Sequence, residues 1–140
     1  MVGKERGRKK ISYRRRKIQD LDSFFREVAR QLFPDIPDWN YNFDGLDDML
    51  GGGFGTPENG CVLFWDNHQL SRARLGYEET ARVLEKRLKR SHSSARNEIM
   101  KQIRMAKRHE GPTIFDDIVE IFERHKPIEG NIYTVELRLR

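Results

Sequence analysis

Cysteine is nearly absent from this 140-residue chain: Cys61 is alone, so no internal disulfide can form and packing must hold the fold. That predicts a reducing compartment, with Cys61 serving as packing in a strand. No run of eighteen apolar residues occurs, and the Lys- and Arg-rich start is followed by no apolar stretch of signal-peptide type. A cytoplasmic protein with no membrane partner is expected. Histidines are few and scattered: His68, His92, His109 and His125 lack the short spacing to Cys or acid that a metal centre or an activated nucleophile needs. Each reads as a surface or capping residue, so no catalysis, no metal and no cofactor are expected. The glycine run at Gly51, Gly52, Gly53 and Gly55 lacks the Lys-Ser/Thr ending and the preceding strand of a phosphate loop. It reads instead as a turn that allows positive φ and close approach to a partner.

The most informative absence concerns charge. Residues 31–71 contain no Lys or Arg, yet hold seven acids (Asp35, Asp38, Asp44, Asp47, Asp48, Glu58 and Asp66), in a chain of net charge +5. On either side the balance reverses: residues 1–17 carry a net +8 and residues 72–108 another +8. A solvated loop is the ordinary meaning of such an acidic stretch. A face built for a basic partner is the functional one, because complementary charge speeds encounter and rejects wrong partners. A phosphate backbone would be repelled here.

Within this segment Asn42 is a good helix N-cap, and Phe43, Leu46, Met49 and Leu50 follow at helical spacing. A short helix with one buried face is predicted. On it Asp44 and Asp48 lie four residues apart on one face with Asp47 beside them, so two or three carboxylates are expected to project together into solvent. Like charges at this spacing cost a few tenths of a kcal/mol, which the first-turn dipole offsets mainly for Asp44. A counter-charged partner is one way to recover that cost. The three acids suit a hard cation poorly, since no further oxygen ligands lie in sequence reach.

The ordered set Asn42, Phe43, Asp44, Gly45, Leu46, Asp48 and Leu50, preceded by an aromatic and followed by a Gly-Gly-Phe-Gly-x-Pro loop and a strand, resembles the barstar family of ribonuclease inhibitors. The resemblance covers about two thirds of the chain, residues 10–72 and 113–139. It implies a small three-stranded parallel sheet packed with helices, and a 1:1 complex with a basic ribonuclease or ribonuclease toxin, as inhibitor or immunity protein. Asp48 would be the principal phosphate mimic, Asp44 its support one turn earlier, and Asn42 the holder of the helix start. Trp39 and Tyr41 would supply contact area, although packing under the helix as core is an equal reading of both. The backbone of Gly52, Gly53 and Gly55 would lie against the enzyme. Secondary contacts are assigned to Asp47, Glu120 and Glu123, against which Arg124, His125 and Lys126 stand as unfavourable neighbours.

The remaining pattern agrees with an α/β protein. Lys10 to Tyr13 reads as a first strand. After the cap Asp20, Leu21, Phe24, Phe25, Val28 and Leu32 make an amphipathic stripe that Pro34 ends. Cys61 to Trp65 is a continuous apolar run between turn signals, hence a buried strand. Tyr77, Ala81, Leu84 and Leu88 mark a helix with a basic outer face, broken at residues 91–94 and resumed through Ile99, Ile103 and Ala106 until Gly111-Pro112. Thr113 caps a largely buried helix through Ile114, Phe115, Ile118, Val119, Ile121 and Phe122, and residues 131–140 alternate as a last strand. Strands separated by helices imply crossovers and a parallel sheet. Residues 1–9 are expected to be a flexible basic arm, and residues 10–140 a single domain with a basic helical insertion at 72–111.

A rival reading makes the chain an RNA- or ribosome-associated protein that binds through Arg14, Arg15, Arg16 and Lys17 of the arm and through the basic helices of residues 82–108. Salt-steep, sequence-independent binding would follow. Tyr13 is the only aromatic interleaved with either run, so base stacking is poorly served. The two readings are compatible in one molecule.

Overall fold

The computed structural model describes residues 9–12, 18–36, 41–51, 61–125 and 135–140. In chain order they form β1 (Lys9–Ser12), α1 (Leu21–Leu32), α2 (Phe43–Leu50), β2 (Cys61–Asp66), α3 (His68–Arg74), α4 (Tyr77–Arg90), α5 (Ser93–Lys107), α6 (Ile114–Arg124) and β3 (Val135–Leu139). β2 is the middle strand, paired in parallel with β1 on one side and β3 on the other. Parallel neighbours require crossovers, and the helices supply them. The α/β class follows. β1 starts one residue before its predicted beginning, and the expected arm before Lys9 lies outside the described residues.

Helix starts obey local chemistry. Asp20 sits in extended backbone and accepts a hydrogen bond from the Ser23 N–H at 2.8 Å, while the Ser23 hydroxyl accepts from the Asp20 N–H at 3.0 Å. This reciprocal box satisfies two amides that the helix leaves open. Burial works to raise the Asp20 carboxyl, but the hydrogen bonds from Ser23 and the charges of Arg82 and Arg26 outweigh it and hold it below the ordinary value of 3.8. Thr113 and Asp116 form the same box at α6. The apolar stripes of these two helices then face the sheet, which is why Phe24, Phe25, Val28 and Leu32 of α1 and Phe115, Ile118 and Phe122 of α6 are buried.

Trp65 of β2 is the centre of the core. Its ring is fully buried, stacked on Phe24 at 5.1 Å and tilted against Phe115 at 5.1 Å. The indole N–H donates to the Ser71 hydroxyl at 2.9 Å, so burying it leaves no polar atom unmatched. Cys61 and Leu63 point into the same core. Phe64 points to the other face of the sheet, where the guanidinium groups of Arg140 and Arg138 lie over its ring at 4.2 and 6.0 Å. These cationic side chains help to cover it.

The basic stretch of residues 72–111 divides in two. Its first part is knitted into the body: Leu75 is fully buried and its carbonyl accepts the Phe115 N–H at 3.0 Å. Thr80 Oγ1 accepts from the Ile114 N–H at 2.9 Å and donates to the Gly76 carbonyl at 2.7 Å. Glu79, only 7 % exposed, takes the Leu21 N–H at 2.7 Å and the Arg82 guanidinium at 2.5 and 2.7 Å. A carboxylate that deep is tolerable only with such partners. The second part is the α4–α5 hairpin, which has a small core of its own, Leu84, Ile99 and Ile103, flanked by Leu88.

Candidate functional site

The acidic helix forms as its spacing predicts. Asn42 stands in extended backbone, and its Oδ1 accepts the Gly45 N–H at 2.7 Å. Leu46, Met49 and Leu50 are buried, and Phe43, half-buried, meets Phe25 edge-on at 5.8 Å. One face of α2 is thereby anchored to the main core, and the opposite face is committed to solvent. Asp44 and Asp48 are exposed there, and neither has an ion-pair partner among the described residues. Tyr41, just before the cap, is 44 % exposed.

Asp47 departs from the expected picture of carboxylates projecting together. The His125 ring nitrogen Nε2 lies 2.7 Å from its Oδ1, and Arg124 Nη1 lies 3.6 Å from its Oδ2. His125 is the C-cap of α6, so this contact ties the middle of α2 to the end of α6. Arg124 also reaches Glu120 at 3.5 Å. Asp47, Glu120 and Arg124 therefore share one small charge network, and Glu123 is exposed near it on the same helix. Local sequence carries no signal for this link, because 78 residues separate its partners.

A groove of about 620 Å³ runs beside the start of α2. Asp22, Tyr41, Asn42 and Asp44 line it from one side, and Arg82, Lys86, Arg87 and Arg90 of α4 from the other. The fold thus sets the basic helix next to the acidic one, an arrangement that residue spacing alone did not reveal. Trp39, Gly52, Gly53 and Gly55 lie outside the described residues, as do Arg14, Arg15, Arg16 and Lys17. Among the described residues no group of three or more His, Cys, Asp or Glu side chains is disposed to hold a metal ion. No described helix is long and apolar enough to cross a membrane.

These features define a small α/β protein with parallel strands and an anionic, side-chain-capped helix at its surface. The family model for Barstar (barnase inhibitor) matches residues 9–104, and the chain belongs to the barstar family. The match runs from β1 into α5, including most of the stretch read as an insertion, and it ends before α6 and β3, which the resemblance had been expected to cover. No curated protein and no solved structure matches the chain.

Proposed function

We propose that this protein inhibits a ribonuclease by presenting the exposed carboxylates of α2 to the enzyme's basic, phosphate-binding cleft. One observation carries the reading: the fold neutralises Asp47 internally and leaves Asp44 and Asp48 on the open face without ion-pair partners among the described residues. Carboxylate oxygens match phosphate oxygens as acceptors for Arg and Lys, and ionised partners make the bonds short and strong. Asp48 is the principal mimic, with Asp44 one turn earlier. Tyr41 adds aromatic contact area beside them, and Asn42 keeps the helix start in place. Trp39 and the backbone of Gly52, Gly53 and Gly55 extend the contact, and Glu120 and Glu123 border it. The cleft is blocked by occupation, so inhibition is competitive with RNA and the complex is 1:1.

Truncating one member of a buried interfacial charge pair costs about 2 to 5 kcal/mol, a range drawn in part from the barnase–barstar complex itself. The test is capture from native lysate freed of bridging nucleic acid by a broad-specificity nuclease, with the wild-type chain and with Asp44→Ala/Asp48→Ala, followed by washing away of the added nuclease and assay of the captured enzyme. A basic ribonuclease retained by the wild type, inhibited at one equivalent and lost with the double variant is the expected result. A captured ribonuclease held equally by both proteins would overturn the assignment to α2.

A further inference from the structure

The α4–α5 hairpin ends in eleven residues, 86–96, that hold five bases and no acid: Lys86, Arg87, Lys89, Arg90 and Arg96. All five are exposed. Nearer the body, counter-charges accompany several bases: Arg82 forks Glu79, Lys107 meets Glu85 at 3.2 Å, and Arg72 meets Asp116 at 3.8 Å. At the tip, Lys86, Lys89 and Arg90 have no ion-pair partner among the described residues. Like charges at helical spacing repel, and the carbonyl end of α4 offsets only part of that.

The kind of ligand follows from what the tip lacks. Protein interfaces are anchored by aromatic and apolar side chains in their centres. Leu88 is the tip's one large apolar residue, and it packs on the hairpin's own core. A membrane-surface helix needs an apolar face to insert, and none is offered here. No Phe, Tyr or Trp lies between residues 86 and 96 on which a base could stack. What remains is a dense set of single positive charges, which suits a string of phosphodiesters. We propose that the hairpin tip binds the phosphate backbone of RNA without regard to base sequence, a site separate from the acidic face of α2. Asp22 and Asp44, across the groove, repel phosphate and confine the strand to the tip.

RNA binding at the tip is independent of ribonuclease inhibition, and the substitutions that decide it lie on the hairpin, away from the acidic face of α2. A fluorescein-labelled 20-nucleotide single-stranded RNA of mixed sequence is titrated with the full chain, by anisotropy, at salt concentrations from 0.05 to 0.5 M. Lys86→Gln/Lys89→Gln/Arg90→Gln keeps good helix formers at exposed positions, and circular dichroism checks that it folds. Each phosphate contact to a single strand contributes about 0.7 to the slope of log affinity against log salt, so the triple variant should be shallower by roughly 2. At 0.1 M salt that corresponds to about a hundredfold weaker binding. Asp44→Asn/Asp48→Asn should bind RNA as well as the wild type or slightly better. Three results would each overturn the proposal: no RNA binding by the wild type at 0.05 M salt; loss confined to Arg14→Gln/Arg15→Gln/Arg16→Gln/Lys17→Gln with the hairpin variant unaffected; or tighter binding to poly-glutamate or to phosphatidylserine-containing vesicles than to RNA.

Discussion

Glu79 and Asp48 are both carboxylates on helices of the same chain, and the fold treats them in opposite ways. Glu79 is buried, takes an amide of α1 and a guanidinium of α4, and joins the hairpin to the body. Asp48 is exposed beside Asp44, on a helix whose third acid is already matched to His125 and Arg124. The same contrast runs along α4, from the paired Arg82 to Lys89 and Arg90, which have no ion-pair partner among the described residues. Charge that the fold consumes is structural, and charge that it leaves open at helical spacing is available to a partner.

The largest loss of stability is expected at Glu79. Glu79→Ala strands the Leu21 amide and the Arg82 charge, and should cost roughly 3 kcal/mol in urea unfolding, with Arg82's partial exposure keeping the loss at the low end of buried-pair values. A loss no larger than that of an exposed-residue control would mean that the hairpin is not held there. Asp20→Ala removes the α1 cap and should cost about 1 kcal/mol at neutral pH. Because native Asp20 loses its proton below the ordinary value of 3.8, its contribution is present above that pH and fades as pH falls through the native value. The wild-type and variant stabilities should therefore converge in acid.

Asp47→Ala cuts the tie between α2 and α6 and should cost about 0.5 kcal/mol, since the pair is partly solvated. Asp48→Ala, by contrast, should leave stability unchanged or raise it by a few tenths of a kcal/mol, because it relieves repulsion with Asp44. Denaturation of the two single variants side by side sharpens the distinction. The smallest effect is expected at Asp117, where burial, followed by the nearby charges of Glu120 and Asp116, raises the carboxyl above 3.8 against the pull of Arg87. This group favours the native state most below 3.8 and loses that favour as pH rises through the native value. Asp117→Asn should gain slightly on the wild type between pH 4 and 7, as read by melting temperature.

Much of this was legible in the chain. The caps at Asp20, Asn42 and Thr113, the stripes they introduce and the strand around Trp65 are all local patterns, and each formed as read. α3 was not foreseen, because residues 68–74 offer Leu70 as their one large apolar side chain, and Asn67 at φ 56° provides no side-chain cap. Long-range pairing was invisible for a different reason. His125 and Arg124 looked like unfavourable neighbours of a second acidic patch until the fold brought them to Asp47. The depth of Glu79 was equally hidden, since its partner amide belongs to a helix 58 residues earlier.

The most direct test of the central claim is inhibition of the ribonuclease captured by the wild-type chain, measured with Asp48→Ala and Asp47→Ala in parallel. Asp48→Ala should weaken inhibition by about 2 kcal/mol or more, near thirtyfold, with stability intact. Asp47→Ala should lose stability while inhibiting nearly as well as the wild type. Equal losses of inhibition in the two variants, or a larger one for Asp47→Ala, would contradict the division between carboxylates the fold uses and carboxylates it presents.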